Sequence, residues 1–584
     1  MRSQRTSAMA VAGVALMLLL ACAPGATPTP VPATATPTRA AAATATPQAP
    51  PAGGSATPRP TSTSPPTAVA AAAPRQGGTL RYAALRDPPT WNPFGETVNP
   101  LTEIKTLVFS NLFTWWSDPP QNCQRGNYPL AVKAWRWADD TTVELVLKEG
   151  MRYHNKPPVN GREAVAADFA AVFPLYQKGI GYMAGASAHV QGVTALDKYT
   201  VRVKLDLPWG GFVGELLAHM YSPWLAPPEA GGPDGKLWET PEKSLIGSGP
   251  FMFERRRPDV DVSFVRNPDY WLKPLPYFDR VEFAMIPDVS TQAAAFRSGR
   301  LDMIVDLAAN LRDDVQRAVP NLQIARCPGT QLTGAGVLFM PIGAPPYDDV
   351  RVRRAVSMAI DRQFIIETFY RGQASYPGAM GSGMPYGLNK LEDYPPDIRQ
   401  FLEYRPDQAK KLLAEAGYPN GLDTVLNFTT RYPQPHPMIS EAIASMLAKV
   451  GIRAKLNLME SGRYVAVVIG NTFPDGEMVL NPLTVTTPED ALAFTSLWSK
   501  AGRTNRSRVK DPEYDKLYEQ FLRTTGEEDR AKVARQMQLM AADRAWRVPL
   551  PMSDSTVTAH GGLHFTWPGN TRNLGMMLAT AWRE

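Results

Sequence analysis

Cysteine is scarce in this sequence, three in 584 residues, and histidine is nearly as rare, six in all. No CxxC occurs, and His154, His189, His219, His436, His560 and His564 are scattered. A metal site needs ligands gathered on an element, so no metal and no cofactor is expected. The strings of the common catalytic machines are missing too. There is no HExxH, no GxxxxGKS or GxxxxGKT phosphate cradle and no GxGxxG. The nearest approach to a GxSxG elbow, Gly-Ala-Ser-Ala-His at 185–189, has histidine where the sharp turn needs glycine. Dense basic runs are lacking as well: Arg255 to Arg257 and the Arg351, Arg353, Arg354 group are too short for a nucleic-acid stripe and read as solvated faces. Paired carboxylates are the one catalytic device that sequence does not exclude, because their pairing is spatial.

What is present begins with Arg2 and Arg5 ahead of an apolar run from Ala8 to Ala21, too short to span a bilayer comfortably. A positive start, a short apolar stretch and a small residue before a cut describe a secretory signal. Leu19-Leu20-Ala21-Cys22 resembles the bacterial lipobox, so 1–22 is expected to be a lipoprotein signal with Cys22 carrying the lipid. Each buried methylene of an acyl chain contributes about 0.8 kcal/mol to membrane attachment. From Ala23 to Arg75 the chain is almost wholly Ala, Thr, Pro, Ser and Gly, with no aromatic and no acidic residue. Such a stretch buries no core. It reads as a disordered, proline-stiffened tether with a reach on the order of 100 Å.

Beyond position 75 the composition is that of an ordinary globular chain, and its length exceeds what one hydrophobic core organises, so at least two lobes are expected. With Cys22 assigned to lipid, Cys123 and Cys327 remain, as a disulfide or as two buried thiols; their spacing does not decide. The body mixes periods. Thr142 to Leu147 and Tyr199 to Leu205 alternate as half-buried strands do, and Ala164 to Leu175 between them reads as a helix. Arg405-Pro406-Asp407 opens a helix that Gly417 ends. Ile439, Ile443, Met446, Leu447 and Val450 stripe a second helix, closed by Gly451 and followed by an apolar strand, Ile452 to Leu458. Helix, glycine, strand is the order of an α/β lobe.

Longer strings then carry a resemblance. Gly-Gly-Thr-Leu-Arg-Tyr at 77–82, Asp-Pro-Pro-Thr-Trp-Asn-Pro-Phe at 87–94, the stretch 145–159 and Ala167-Asp168-Phe169 come first. Gly-Ser-Gly-Pro-Phe at 247–251, Arg-Asn-Pro-Asp-Tyr-Trp at 266–271, Phe-Arg-Ser-Gly-Arg-Leu-Asp at 296–302, the segment 348–372 and 409–418 follow in order. From about Gly77 onward the chain is similar to the peptide, nickel and oligopeptide-binding family (family 5) of ABC-transporter solute-binding proteins. The resemblance implies an α/β, bilobal periplasmic-binding-protein-like fold, with an extra subdomain on the first lobe and a ligand cleft between lobes. Lobe one is expected at 76–118, 245–328 and 550–584, its subdomain at 119–244, and lobe two at 329–549.

The same resemblance implies capture of a peptide or similar small solute and its delivery to an ABC permease and ATPase complex. The protein is then a monomer outside the cytoplasm, anchored to the cell membrane through Cys22, without nucleic acid and without catalysis. Binding of oligosaccharides, an exported hydrolase and a ligand sensor are the competing readings. Cleft residues are expected soon after the first strand, at Trp91, Glu96, Thr97 and Val98, with Tyr376, Phe473 and Trp498 as aromatic lining. Peptide-binding members hold an α-amino group with an Asp-Tyr-x-Asp-Pro carboxylate. Residues 469–476 depart from that pattern, leaving Asp475 as a loose counterpart in a Pro-Asp-Gly turn.

Overall fold

The computed structural model describes residues 74–88, 90–94, 101–116, 126–178, 187–218, 223–231, 236–328, 336–376, 386, 388, 390–429, 432, 435–481, 505–567 and 574–584, all within the unit Ala71–Glu584. Cys22, Glu96, Thr97, Val98, Cys123 and Trp498 lie outside them.

Among the described residues, three sheets of more than two strands organise the fold. The largest has seven strands in the order Phe251–Arg257, Asp261–Arg266, Arg280–Met285, Thr79–Ala84, Met303–Val305, Ser555–Ala559 and Gln323–Cys327. Thr79–Ala84 pairs in parallel with Arg280–Met285, from Thr79 against Arg280 to Ala84 against Met285. Ser555–Ala559 is inserted antiparallel between Met303–Val305 and Gln323–Cys327. Alternation gives the sheet two apolar faces. On one, Tyr82 meets Phe283 at 5.1 Å, Phe283 meets Phe264 at 5.8 Å and Phe264 meets Phe253 at 6.1 Å, a ladder of edge-on rings across four strands. Helix Leu101–Val108, with Ile104, Leu107 and Val108 buried, contributes to the core on that face. On the other, Ala83 and Ile304 pack with Phe296 and Val315 of helices Val289–Arg297 and Ala309–Ala318.

A four-stranded sheet follows the order Val132–Asp139, Thr142–Leu147, Thr200–Leu205, Val190–Ala195, with helix Ala166–Lys178 packed on it. The five-stranded sheet runs Ile452–Met459, Leu422–Thr429, Met478–Asn481, Val337–Phe339, Arg547–Pro549. Helix Pro406–Glu415 stops just before Gly417 (φ +94°), and helix His436–Lys449 just before Gly451 (φ +94°), a backbone setting that favours glycine. The apolar run after Gly451 is an edge strand, which is why Leu456 and Leu458 stand exposed. Helices Pro512–Arg523 and Glu527–Asp543 place Tyr518, Phe521 and Met537 in one core with Trp209 and Phe212, and Gly210 N–H donates to Leu522 O at 2.7 Å.

The motifs of the sequence meet in space. His154 Nε2 lies 3.1 Å from Gly249 O and Asn267 Nδ2 donates to the same oxygen at 2.9 Å, while Gly247 N–H faces His154 Nδ1 at 3.4 Å. The imidazole is thus wired as a neutral donor and acceptor, and burial pushes its pKa down to about 3. Asp168 accepts from both terminal nitrogens of Arg162 (2.8 and 2.7 Å), from Val165 N–H (2.9 Å) and from Tyr153 Oη (3.1 Å). Asp361 caps its helix through Phe364 N–H at 2.9 Å. Buried Arg362 ties Pro549 O (2.9 Å), Leu402 O (2.8 Å) and Ser357 O (3.1 Å) together. These residues hold the frame.

Candidate functional site

Strand directions locate the site. In the seven-stranded sheet, Thr79–Ala84, Arg280–Met285, Met303–Val305, Phe251–Arg257 and Gln323–Cys327 all run one way, so Ala84, Met285, Val305, Arg257 and Cys327 mark one end. From Cys327 the chain passes to Val337 of the five-stranded sheet, and from Pro549 it returns to Ser555, which pairs with Cys327. In the five-stranded sheet, Leu422–Thr429, Ile452–Met459 and Met478–Asn481 are parallel, and Val337 is paired with both Asn481 and Pro549. Both crossovers therefore join the carboxyl ends of parallel strands. Six steps from Pro549 to Ser555 span at most about 20 Å, so the two ends lie close together. Open α/β sheets bind ligands at the carboxyl ends of their strands, and here two such ends meet.

On the five-stranded side the end is polar and aromatic. Tyr464 Oη donates to Leu480 O at 3.0 Å and bonds Asn481 Oδ1 at 2.8 Å. The guanidinium of buried Arg506 sits 5.7 Å from the Phe339 ring, within electrostatic reach of Tyr432 and Tyr464. His436, 2 % exposed at the start of its helix, meets the Tyr432 ring edge-on at 5.4 Å, and neither ring nitrogen has a hydrogen-bond partner among the described residues. Burial pushes the His436 pKa down to about 4, so the ring is neutral. Scattered histidines and one arginine gave no sequence signal for this cluster; only the parallel register brings them together.

The expected residues distribute differently. Trp91 does follow the first strand at the crossover end, but it is 5 % exposed, packed 6.4 Å from Phe253 under the Arg256 guanidinium at 5.1 Å. Arg256 is held in turn by Asp87 (Nε to Oδ2, 3.0 Å). The Trp91 indole N–H has no acceptor among the described residues. Phe473, 1 % exposed, is spent on packing with Met459, Tyr464, Val468 and Val479. Asp475 is an exposed turn residue next to Gly476 (φ +79°), and it takes its counter-charge from Arg508, which also donates to Phe473 O. A carboxylate so engaged is not waiting for an ammonium. Tyr376 lines a cavity of about 560 Å³ whose walls all come from 361–404, with its hydroxyl on Leu402 O. Structure thus brings none of these four together at one surface. Cys327 is disulfide-bonded.

Among the described residues no group of three or more His, Cys, Asp or Glu could hold a metal ion, and no helix is long and apolar enough to cross a membrane. Residues 127–505 match the model of bacterial extracellular solute-binding proteins, family 5 Middle. The chain belongs to that family. Family 5 proteins are extracytoplasmic binding proteins of ABC transporters rather than enzymes, and the chain has their bilobal α/β fold. Two relatives illustrate the spread of cargo. The chain is 28 % identical over 459 residues to heme-binding protein A of Haemophilus influenzae, covering 73 % of this chain and 79 % of that protein. It is 26 % identical over 465 residues to di/tripeptide-binding protein 1 of Pseudomonas aeruginosa, covering 74 % and 81 %. A solved periplasmic binding protein of Helicobacter pylori, in complex with the peptide STSA, superposes with a TM-score of 0.71 at 22 % identity, over 87 % of this chain and 99 % of that one.

Proposed function

We propose that this family 5 protein captures a short peptide or a similar small solute between the two sheet ends and presents it to the permease and ATPase of an ABC importer. The observation that carries the reading is the meeting of parallel strand ends at both crossovers, with Tyr464, Arg506 and His436 buried beneath the five-stranded one. The likeness to a di/tripeptide binder supports the solute class. Lobe one comprises 76–118, 245–328 and 550–584 with its subdomain at 119–244, and lobe two 329–549, except that helices Pro512–Arg523 and Glu527–Asp543 pack into the core of the subdomain with Trp209 and Phe212; ligand stabilises the form in which both lobes touch it. Cys327 pairs with Cys123 in this reading. Native mass spectrometry of the gently purified protein is expected to show a peptide-sized mass released on denaturation. Protein that carries nothing and takes up no tripeptide in calorimetry would remove the peptide reading. Haem is the second reading, on the likeness to heme-binding protein A, and a bound porphyrin would announce itself by visible absorption.

The membrane attachment is part of the proposal. Cys22 bears the lipid, and 23–75 spaces the body from the bilayer. Cys22→Ser is expected to move the protein from the membrane to the soluble or unprocessed fraction; acylated, membrane-bound Cys22→Ser protein would refute it.

A further inference from the structure

Helix Leu101–Val108 carries a single cation, Lys105, whose side chain is 3 % exposed. Among the described residues no hydrogen bond or ion pair engages its ammonium. Glu103 cannot serve, because residues two apart on a helix do not face each other, and Glu103 acts on Tyr82 instead. Thr106 commits its hydroxyl to Glu103 O at 2.7 Å and to Gly575 N–H at 2.8 Å. Burial alone, with no contribution from a neighbouring charge, holds Lys105 down to about 7.

The direction of the helix decides where that ammonium goes. Tyr82 senses both Glu103 and Asp306, the residue just past Val305 at the crossover end. At the other end of the helix, a β-carbon on Gly247 or Gly249, just ahead of Phe251, would strike Val108 O or Leu107 O. Phe251 opens a strand parallel to Thr79–Ala84, so this is the far end of the sheet. The helix therefore starts at the crossover end and runs away from it. Side chains on a helix lean toward its amino terminus, so the lysine stem carries the ammonium back toward the first turn, whose N–H groups have no partner within the helix.

We propose that Lys105 and this first turn form the receptor for a carboxylate of the captured solute. The inference rests on the solute-binding reading above and names which charge the solute must bring. A carboxylate supplies the counter-ion that no described residue provides, and with it bound the amine regains its proton. Complex formation at pH 8 then takes up about 0.9 proton for a group that starts near 7.

The test offers an equimolar tripeptide library once as free acids and once as carboxy-terminal amides, read by native mass spectrometry, with calorimetry of a retained free acid at pH 8 in two buffers of different ionisation enthalpy. The wild type is expected to prefer acids at least tenfold and to take up close to one proton. Lys105→Met is expected to lose both effects, and Lys105→Arg to keep the preference. Equal retention of acids and amides, no proton uptake by the wild type, or a preference that survives in Lys105→Met overturns the assignment while leaving the peptide reading intact. Retention of neither library by the wild type removes both. Proton uptake needs no variant, so the proposal stays exposed even if Lys105→Met fails to fold.

Discussion

Asp168→Ala is expected to cost about 2–4 kcal/mol of folding free energy. The carboxylate is 5 % exposed and takes four donors, two of them from one guanidinium. Removing it strands Val165 N–H, the Tyr153 hydroxyl and one side of Arg162, which would keep Glu229 and the Glu163 carbonyl. Because Arg162 is itself about a third exposed, water reclaims part of its charge, and the loss falls short of that for a fully buried pair. Urea denaturation reads the change as a lowered midpoint at unchanged slope. A loss under about 1 kcal/mol would show that the fork is ornamental. Asp168→Asn should recover part of the loss, since its carbonyl still accepts from Val165.

Stability is expected to fall as the pH drops from about 6.5 toward 3. The sign follows from His154, whose folded-state pKa lies near 3 against an ordinary value of 6.5. Between those values the unfolded chain binds a proton that the folded one refuses, so stability rises with pH there, by up to about 1.4 kcal/mol per unit. The contribution is fully present above 6.5 and is lost on the way down to 3. His436, held near 4, adds a second term of the same sign over a narrower window. Carboxylates such as Glu163, held near 2 by Lys198, Gly150 N–H and Tyr199, enter with the same sign only below about 4.5, their ordinary value. Chemical denaturation at pH 7, 6, 5 and 4 should therefore give a slope that flattens in His154→Gln, whose amide can still donate to Gly249 O. An undiminished slope in that variant would mean that His154 is not the titrating group.

Much of this frame was legible in the residues. Period-two alternation placed a strand at Thr142–Leu147, though neighbours bury both of its faces rather than one, and the glycines at 417 and 451 stop their helices because only a residue without a β-carbon takes φ near +94° at little cost. Asp361 and Arg362, within the string 348–372, fix the helix that they open. The site was far less legible. Phe473 looks like a lining residue in sequence, but whether an aromatic ring packs or lines is decided by what lies across from it, and Val479 and Tyr464 lie there. Position after the first strand brought Trp91 to the right end of the sheet, while Phe253 and Arg256, far away in the chain, buried it. Lys105 leaves no mark in the sequence, because one cation in Leu-Thr-Glu-Ile-Lys-Thr-Leu-Val passes for a solvated helix position. Its significance lies in what fails to approach it.

The strand Ser555–Ala559 lies inside the seven-stranded sheet, between partners made much earlier in the chain. Contacts of such long sequence separation form late, because the loop they close must be paid for in entropy first. During synthesis, Gln323–Cys327 has no hydrogen-bonding neighbour in this sheet until that strand emerges from the ribosome. The growing chain accordingly cannot complete its largest sheet before Ser555–Ala559 has been made.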